Sequence, residues 1–332
     1  MCPDGPGVSV QKEVSMEPLN FEKKREEVKK RFAAKLRKDG SLAKESLKLS
    51  WSNWGFGIEP LEATAKRLQA NGIEWIELHG NRYGPDLGYR GKETKELLAA
   101  HGIRVAGICG MFGPENDLSS NSGIKRQNAI DYIRRQIELC VETGGSYMLV
   151  VPGAVGRPDA YDDSEFHRSV ETLQRVADEF AEAGVRAAVE PIRSAEVSLI
   201  HTFAEAGEYI AAVDSEGVKH INGDLYHMQV EESNIAETIA DSGERMINLH
   251  MADSNRCALG DGSLDFDAVI MALYAVDYTK GLRFVTPEPL GPGGDPYPAM
   301  HGKPDPAFLD KLVADSAAYF RAREAAVKSS VQ

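Results

Sequence analysis

The chain is poor in paired cysteines, in basic charge and in long apolar runs, and each shortage removes a class of function. Its four cysteines, Cys2, Cys109, Cys140 and Cys257, are far apart and form no CxxC pair. Neither a disulfide scaffold nor a closed thiolate zinc site fits that spacing. Cys109 and Cys140 sit in apolar runs, where a free thiol behaves as a small hydrophobe, and a reducing cytoplasm is the expected location. No apolar stretch approaches the roughly 18 residues of a membrane span. The opening MCPDGPGVSVQKEVSMEPLNFEKK has no apolar core of signal-peptide length. Lysine and arginine number 38 against 51 aspartates and glutamates, a net charge of −13. Binding a phosphate backbone needs a basic face, so nucleic acid is not the expected partner; a neutral sugar or polyol fits this charge.

What is present is ordinary material for a large core: 42% hydrophobic and 27% charged residues in 332, within the range of a single α/β barrel. Residues 1–46 read as an N-terminal extension. The first 18 carry proline and glycine without period, and are expected to be loose. The charged stretch that follows, FEKKREEVKKRFAAKLRKDG, places Phe21, Val28, Phe32 and Leu36 at i, i+7, i+11 and i+15, one face of a helix. This arm is either packed on the rest of the chain or free to dock a partner.

From Leu47 a rhythm begins. Seven times an amphipathic stretch ends at a glycine and a short apolar run follows, at 71–80, 101–110, 143–152, 183–191, 216–224, 242–251 and 280–289. Glycine closes a helix in the left-handed conformation, and a run of four to six apolar residues completes an αβ step. With LKLSWS (47–52) ahead of them, the runs predict eight strands. The helices between them show the matching period: Ile130, Ile133, Ile137 and Val141 in 125–143, and Val170, Leu173, Val176 and Phe180 in 164–183. A last helix is expected over about 306–327. Eight alternating units predict a (β/α)₈ barrel over 47–327. The rival, a doubly wound open sheet, lacks its phosphate turn, because WSNWGFG matches GxGxxG poorly.

A barrel builds its active site at the C-terminal ends of its strands. The fifth to eighth runs end in Glu190, Asp224, His250 and Glu288, each able to bind a metal ion. Three carboxylates and an imidazole suit a hard to borderline cation, Mn²⁺ best, with Mg²⁺ or Co²⁺ as alternatives. Such an ion keeps positions free for two adjacent substrate oxygens. Around these residues, His227 follows Asp224 by three, Arg256 follows His250 by six and Glu196 follows Glu190 by six. Each has two readings. Arg256 is a fork donor to sugar oxygens or a surface cation; Glu196 is a substrate contact or a solvated loop residue; Asp253 orients a histidine or forms a turn. The Pro- and Gly-rich loop 291–306 reads as a lid or a subunit contact, and its His301 as an added general acid or a loop residue without a role.

Taken together, Glu190…Glu196, D-x-x-H at 224–227, H-x₅-R at 250–256 and E-P at 288–289 resemble the xylose-isomerase-like sugar isomerase/epimerase (TIM-barrel) family, in particular ketose 3-epimerases of the D-tagatose/D-psicose type. The resemblance spans 47–327. It implies a Mn²⁺-dependent site in which Glu190 and Glu288, metal ligands and catalytic groups at once, face each other across a sugar and move a proton next to its carbonyl. It also implies substrate contacts from Glu196, His227, Arg256 and His301. The arm and the long final loop make the whole chain most similar to catalytic α subunits of bacterial C-glycoside deglycosidases. That likeness implies C–C bond cleavage of a 3-oxo-C-glucoside, a small β subunit as partner and an oligomeric assembly. The alternative is a ketose 3-epimerase or a related sugar isomerase. An apurinic-site endonuclease would need more histidines and a basic face; a sugar-binding barrel without catalysis would not need three carboxylates around one cation.

Overall fold

The computed structural model describes residues 21–80, 88–291 and 305–330. Seven of the eight apolar runs expected from the sequence become short strands, and the amphipathic stretches become the helices that cover them. The strands are β1 (Trp75–His79), β2 (Arg104–Cys109), β3 (Tyr147–Val150), β4 (Arg186–Val189), β5 (Val218–Asp224), β6 (Met246–Met251) and β7 (Phe284–Pro287). They form one parallel sheet in sequence order. The helices are α1 (Phe21–Lys38), α2 (Leu61–Ala70), α3 (Gly91–Ala100), α4 (Gly123–Thr143), α5 (Glu165–Ala183), α6 (Phe203–Val213), α7 (Leu225–Glu231), α8 (Ile235–Ser242), α9 (Phe266–Ala275) and α10 (Pro306–Ser329). The result is a nearly closed parallel α/β barrel, with ten α-helices among the described residues.

The closing segment is less regular than the expected eighth strand. Leu47–Ser52 meets β7 at Leu49↔Val285 and β1 at Ser52↔Glu77, both as isolated parallel bridges. Four backbone bonds hold it: Val285 N to Lys48 O (3.0 Å), Ser50 N to Val285 O (2.9 Å), Ser52 N to Pro287 O (3.2 Å) and Glu77 N to Trp51 O (2.9 Å). The ladder stops there because the chain turns at once into a short 3₁₀ segment, Asn53–Phe56, which carries Trp54 over the barrel mouth.

Gly144 and Gly184 end α4 and α5 with φ of +81° and +67°, closing both helices as the sequence predicts. α6 and α9 are exceptions: Asp214 and Asp277 take the left-handed position at φ +51° and +56°, and Gly217 and Gly281 come three and four residues later. Along α4, Ile130, Ile133 and Ile137 are buried but Val141 is exposed. Ala129, Tyr132 and Cys140 complete that face instead.

The arm is packed. α1 lies across α8 and α9, with Val28 and Phe32 buried and Leu36 against the core, while Phe21 is exposed. Phe32 meets the Tyr274 ring edge-on at 5.8 Å between centroids. Lys24, Arg25, Arg31 and Lys35 pair with Glu237, Asp265, Asp241 and Asp277. Such surface pairs contribute about 0–1 kcal/mol each, so the two buried side chains decide the docking.

Inside the barrel, residues two apart on a strand share a face and stack in tiers. Trp75, Tyr147 and Phe284 form the lowest, with ring centroids 4.9 and 6.1 Å from Phe284. Above them come Glu77, Asn222, Asn248 and Thr286, all with no exposed surface. One step higher stand Asp224, His250, Glu190 and Glu288.

Candidate metal centre

The top tier brings together the four strand-end residues read from the sequence. Glu190 and Glu288 each follow their strands by one residue, whereas Asp224 closes β5 and His250 lies within β6. All four are buried. The His250 Nδ1 atom lies 3.3 Å from Glu190 Oε1 and 3.2 Å from Glu288 Oε2. Glu190, Asp224 and His250 present ligand atoms within 4.8 Å of one another, and Glu288 joins them through the same His250 nitrogen.

Every member is held by a specific bond. Asn222 Nδ2 donates to Glu190 Oε1 at 2.8 Å, and Trp54 Nε1 donates to Glu288 Oε2 at 2.6 Å. Asp224 caps α7, accepting from Tyr226 N at 2.8 Å. The other ring nitrogen of His250, Nε2, lies 2.8 and 3.1 Å from the two oxygens of Glu77. Glu77, rather than Asp253, therefore orients the histidine. The Asp253 carboxylate is spent on its own loop, accepting from Ser254 N, Gly260 N and Leu264 N at 2.7, 2.8 and 3.1 Å.

Carboxylates crowded in a dry cleft repel. Burial, with Asp224 and Glu190 adding to it, pushes the Glu288 carboxyl up to about 8 against the pull of His250. Burial opposes charge on His250, yet Glu288, Glu77 and the Glu190 bond outweigh it and hold the ring well above its usual value. Burial also opposes charge on Glu77, but His250 and the Tyr147 bond bring it below the usual carboxylate range. The cluster is a negative hole whose donor set, three carboxylates and one imidazole nitrogen, fits a divalent cation.

A cavity of about 630 Å³ opens onto this cluster, lined among others by Trp54, Cys109, Met111, Phe112, Glu196, Tyr226, His227 and Arg256. His227 lies in the first turn of α7, its Nε2 3.2 Å from Asp224 Oδ2, and its Nδ1 has no hydrogen-bond partner among the described residues. Arg256 is buried and stacks on the Tyr226 ring at 4.2 Å and near Trp54 at 5.7 Å. Its backbone is left-handed, at φ +62°, a strained conformation for a residue with a side chain. Its carbonyl secures the start of the final loop through Leu290 N and Gly291 N. Glu196 stands at the cavity wall but pairs with Arg193 Nε at 2.6 Å, and Arg193 also stacks on the Tyr226 ring, at 4.6 Å. His301, Lys303 and nearly all of the 291–306 loop lie outside the described residues, as does the segment 1–18 that the sequence leads one to expect to be loose.

Sequence reading missed Glu77, Asn222, Asn248, Thr286 and Trp54. Four of them carried a signal. Asn222, Asn248 and Thr286 precede Asp224, His250 and Glu288 by two, and Glu77 precedes His79, at the end of β1, by two; that is the spacing of one strand face. Trp54 lies in an irregular turn and carried none.

The family model described as a xylose isomerase-like TIM barrel matches residues 65–296. The 3-dehydro-D-guloside 4-epimerase of Escherichia coli (strain K12) is 28% identical over 244 residues, 70% of this chain and 89% of that protein. The L-ribulose 3-epimerase of Methylomonas sp. (strain DH-1) is 26% identical over 193 residues, 58% of this chain and 67% of that protein. The crystal structure of a 3-keto-D-glucoside 4-epimerase from E. coli matches with a TM-score of 0.66 at 25% identity, over 83% of this chain and 100% of that one.

Proposed function

The chain belongs to the xylose isomerase-like TIM barrel family, and from that premise we propose that it is an epimerase inverting a carbon next to the carbonyl of a keto-sugar or keto-glycoside. One observation carries the reading: Glu190 and Glu288, just past β4 and β7, approach the same His250 nitrogen at 3.3 and 3.2 Å at the floor of an open cavity. Two carboxylates so placed can serve two faces of one carbon.

Glu190, Asp224, His250 Nδ1 and Glu288 would hold the cation, which we take as Mn²⁺ with Mg²⁺ or Co²⁺ as substitutes. When bound, it supplies positive charge to two neighbouring substrate oxygens. Glu190 takes the proton from the carbon beside the carbonyl; the C–H electrons form a C=C bond and the carbonyl oxygen gains negative charge. Glu288, steadied by Trp54, returns a proton to the opposite face and the carbonyl re-forms. The Nδ1 of His227, without a hydrogen-bond partner among the described residues, and the guanidinium of Arg256 bind and orient substrate oxygens, with Glu196 contributing at the wall; His301 belongs to the same proposal as an added contact. Both relatives above are epimerases, which supports the epimerase alternative better than cleavage of a 3-oxo-C-glucoside. Cleavage shares the first proton transfer and would bring in a small β subunit.

The test is proton exchange. The purified chain with Mn²⁺ in D₂O is given a free ketose, a methyl 3-oxo-glucoside and a 3-oxo-C-glucoside, and followed by NMR. The expected result is deuterium at the carbon beside the carbonyl together with the epimer, both lost in Glu190→Gln. Release of aglycone and co-purification of a small polypeptide would instead establish cleavage. No exchange into any of the three would overturn the mechanism.

A further inference from the structure

The strongest unused feature is the buried polar tier beneath the metal centre. Glu77 lies on β1, which supplies none of the proposed ligands, and has no exposed surface. A buried carboxylate is costly unless several donors satisfy it, and here three side chains do. His250 Nε2 lies at 2.8 Å, Tyr147 OH donates at 2.8 Å and Asn248 Nδ2 donates at 3.1 Å. The chain of bonds continues sideways. Asn248 Nδ2 also donates to Asn222 Oδ1 at 2.7 Å, Thr286 Oγ1 donates to Asn248 Oδ1 at 2.6 Å, and Asn222 Nδ2 donates to Glu190 Oε1 at 2.8 Å. One network thus reaches both His250, through Glu77, and Glu190, through Asn222.

An ionised carboxylate can only accept. Facing Nε2 with two oxygens, Glu77 demands that this nitrogen carry the hydrogen. With a cation in place the imidazole is neutral, and its lone pair is then left on Nδ1, the nitrogen that faces Glu190 and Glu288. The tautomer of the proposed ligand is therefore set from below, by a residue that never touches ion or substrate.

We propose that Glu77 is the positioning residue of the metal centre: held by Tyr147 and Asn248, it fixes the ring and tautomer of His250 so that Nδ1 is presented to a divalent cation. This rests on the metal-centre reading given above. An amide at position 77 has both a donor and an acceptor, so it also admits the opposite tautomer, with hydrogen on Nδ1 and the cation's position blocked.

Mn²⁺ binding to the full chain, measured by electron paramagnetic resonance of the free ion, tests this. Wild type is expected to bind one Mn²⁺, and Glu77→Gln to bind it about 10- to 100-fold more weakly, the range for loss of such an outer partner. In the Mg²⁺-loaded protein, ¹⁵N shifts of His250 should report hydrogen on Nε2 in wild type and a mixture of tautomers in the variant, a signature that simple loosening of the core would not produce. If Glu77→Gln does not fold, Tyr147→Phe keeps the carboxylate and removes one donor; a smaller weakening in the same direction is expected. Unchanged Mn²⁺ affinity and an unchanged tautomer in the folded variant overturn the inference alone. A wild-type chain that binds no Mn²⁺ overturns the metal reading and this inference with it.

Discussion

Acid sensitivity offers a quantitative check on the barrel interior, through a residue outside the proposed chemistry. His79 ends β1, is 3% exposed, and burial lowers its pKa from the ordinary 6.5 to about 3. Because the folded value is depressed, its contribution is fully present above pH 6.5. It is lost as pH falls, since the unfolded chain takes up a proton that the folded chain refuses. Each unit of pH across that window is worth about 1.4 kcal/mol. Acidification from pH 7 to 5 should therefore cost about 2 kcal/mol through this one ring. His250, with its raised value, works in the opposite direction, so the total slope is not diagnostic. The difference between wild type and His79→Gln is, because burial lowers the His79 value while the other titrating groups are common to both proteins. Urea unfolding of both proteins at pH 7 and 5, with chelator present, measures it. Wild type should lose about 2 kcal/mol more than the variant over that interval; equal losses would refute the premise that the ring is held neutral by burial.

Two further outcomes follow from the packing and from the site. Phe32→Ala should lower stability by about 3–5 kcal/mol, seen as a drop in the thermal midpoint, with KM unaffected because α1 lies outside the barrel; an unchanged midpoint would mean that α1 does not pack as described. Trp54→Phe removes the N–H at 2.6 Å from Glu288. A bond to a charged group is worth about 1.5–3 kcal/mol, so turnover of the substrate identified by the exchange assay should fall about 10- to 100-fold with little change in KM.

The barrel and its top tier were legible because both follow periods. Glycine after each helix located the strand starts, and strand length then placed Glu190, Asp224, His250 and Glu288 at one end. The tier below was legible in principle through the two-residue repeat of a strand face, but Asn222, Asn248 and Thr286 look like unremarkable polar residues until neighbouring strands bring them together. Of the two readings open to Asp253 the turn-forming one holds, because the carboxylate nearest His250 in space, Glu77, comes from a distant strand. Trp54 and Tyr226 could not be found by period at all: one lies in a 3₁₀ turn and the other in the first turn of α7, and only the folded loops aim them at the cavity. The choice between epimerisation and cleavage was not legible either, since both begin with the same proton transfer.

The segment Leu47–Ser52 makes the barrel a ring with a clasp. Among its neighbours, β1 and β2 pair five residues, with one irregularity between Ile76 and Glu77, while the clasp is held by four backbone bonds. On one side of it stands the strand leading to Glu288, on the other the strand bearing Glu77, and immediately beyond it comes Trp54. Amide exchange should therefore be fastest at this joint, and cutting the ring there by circular permutation would leave seven laddered strands but unfasten three groups of the centre together. In this molecule the soundness of the site and the closure of the ring are the same event.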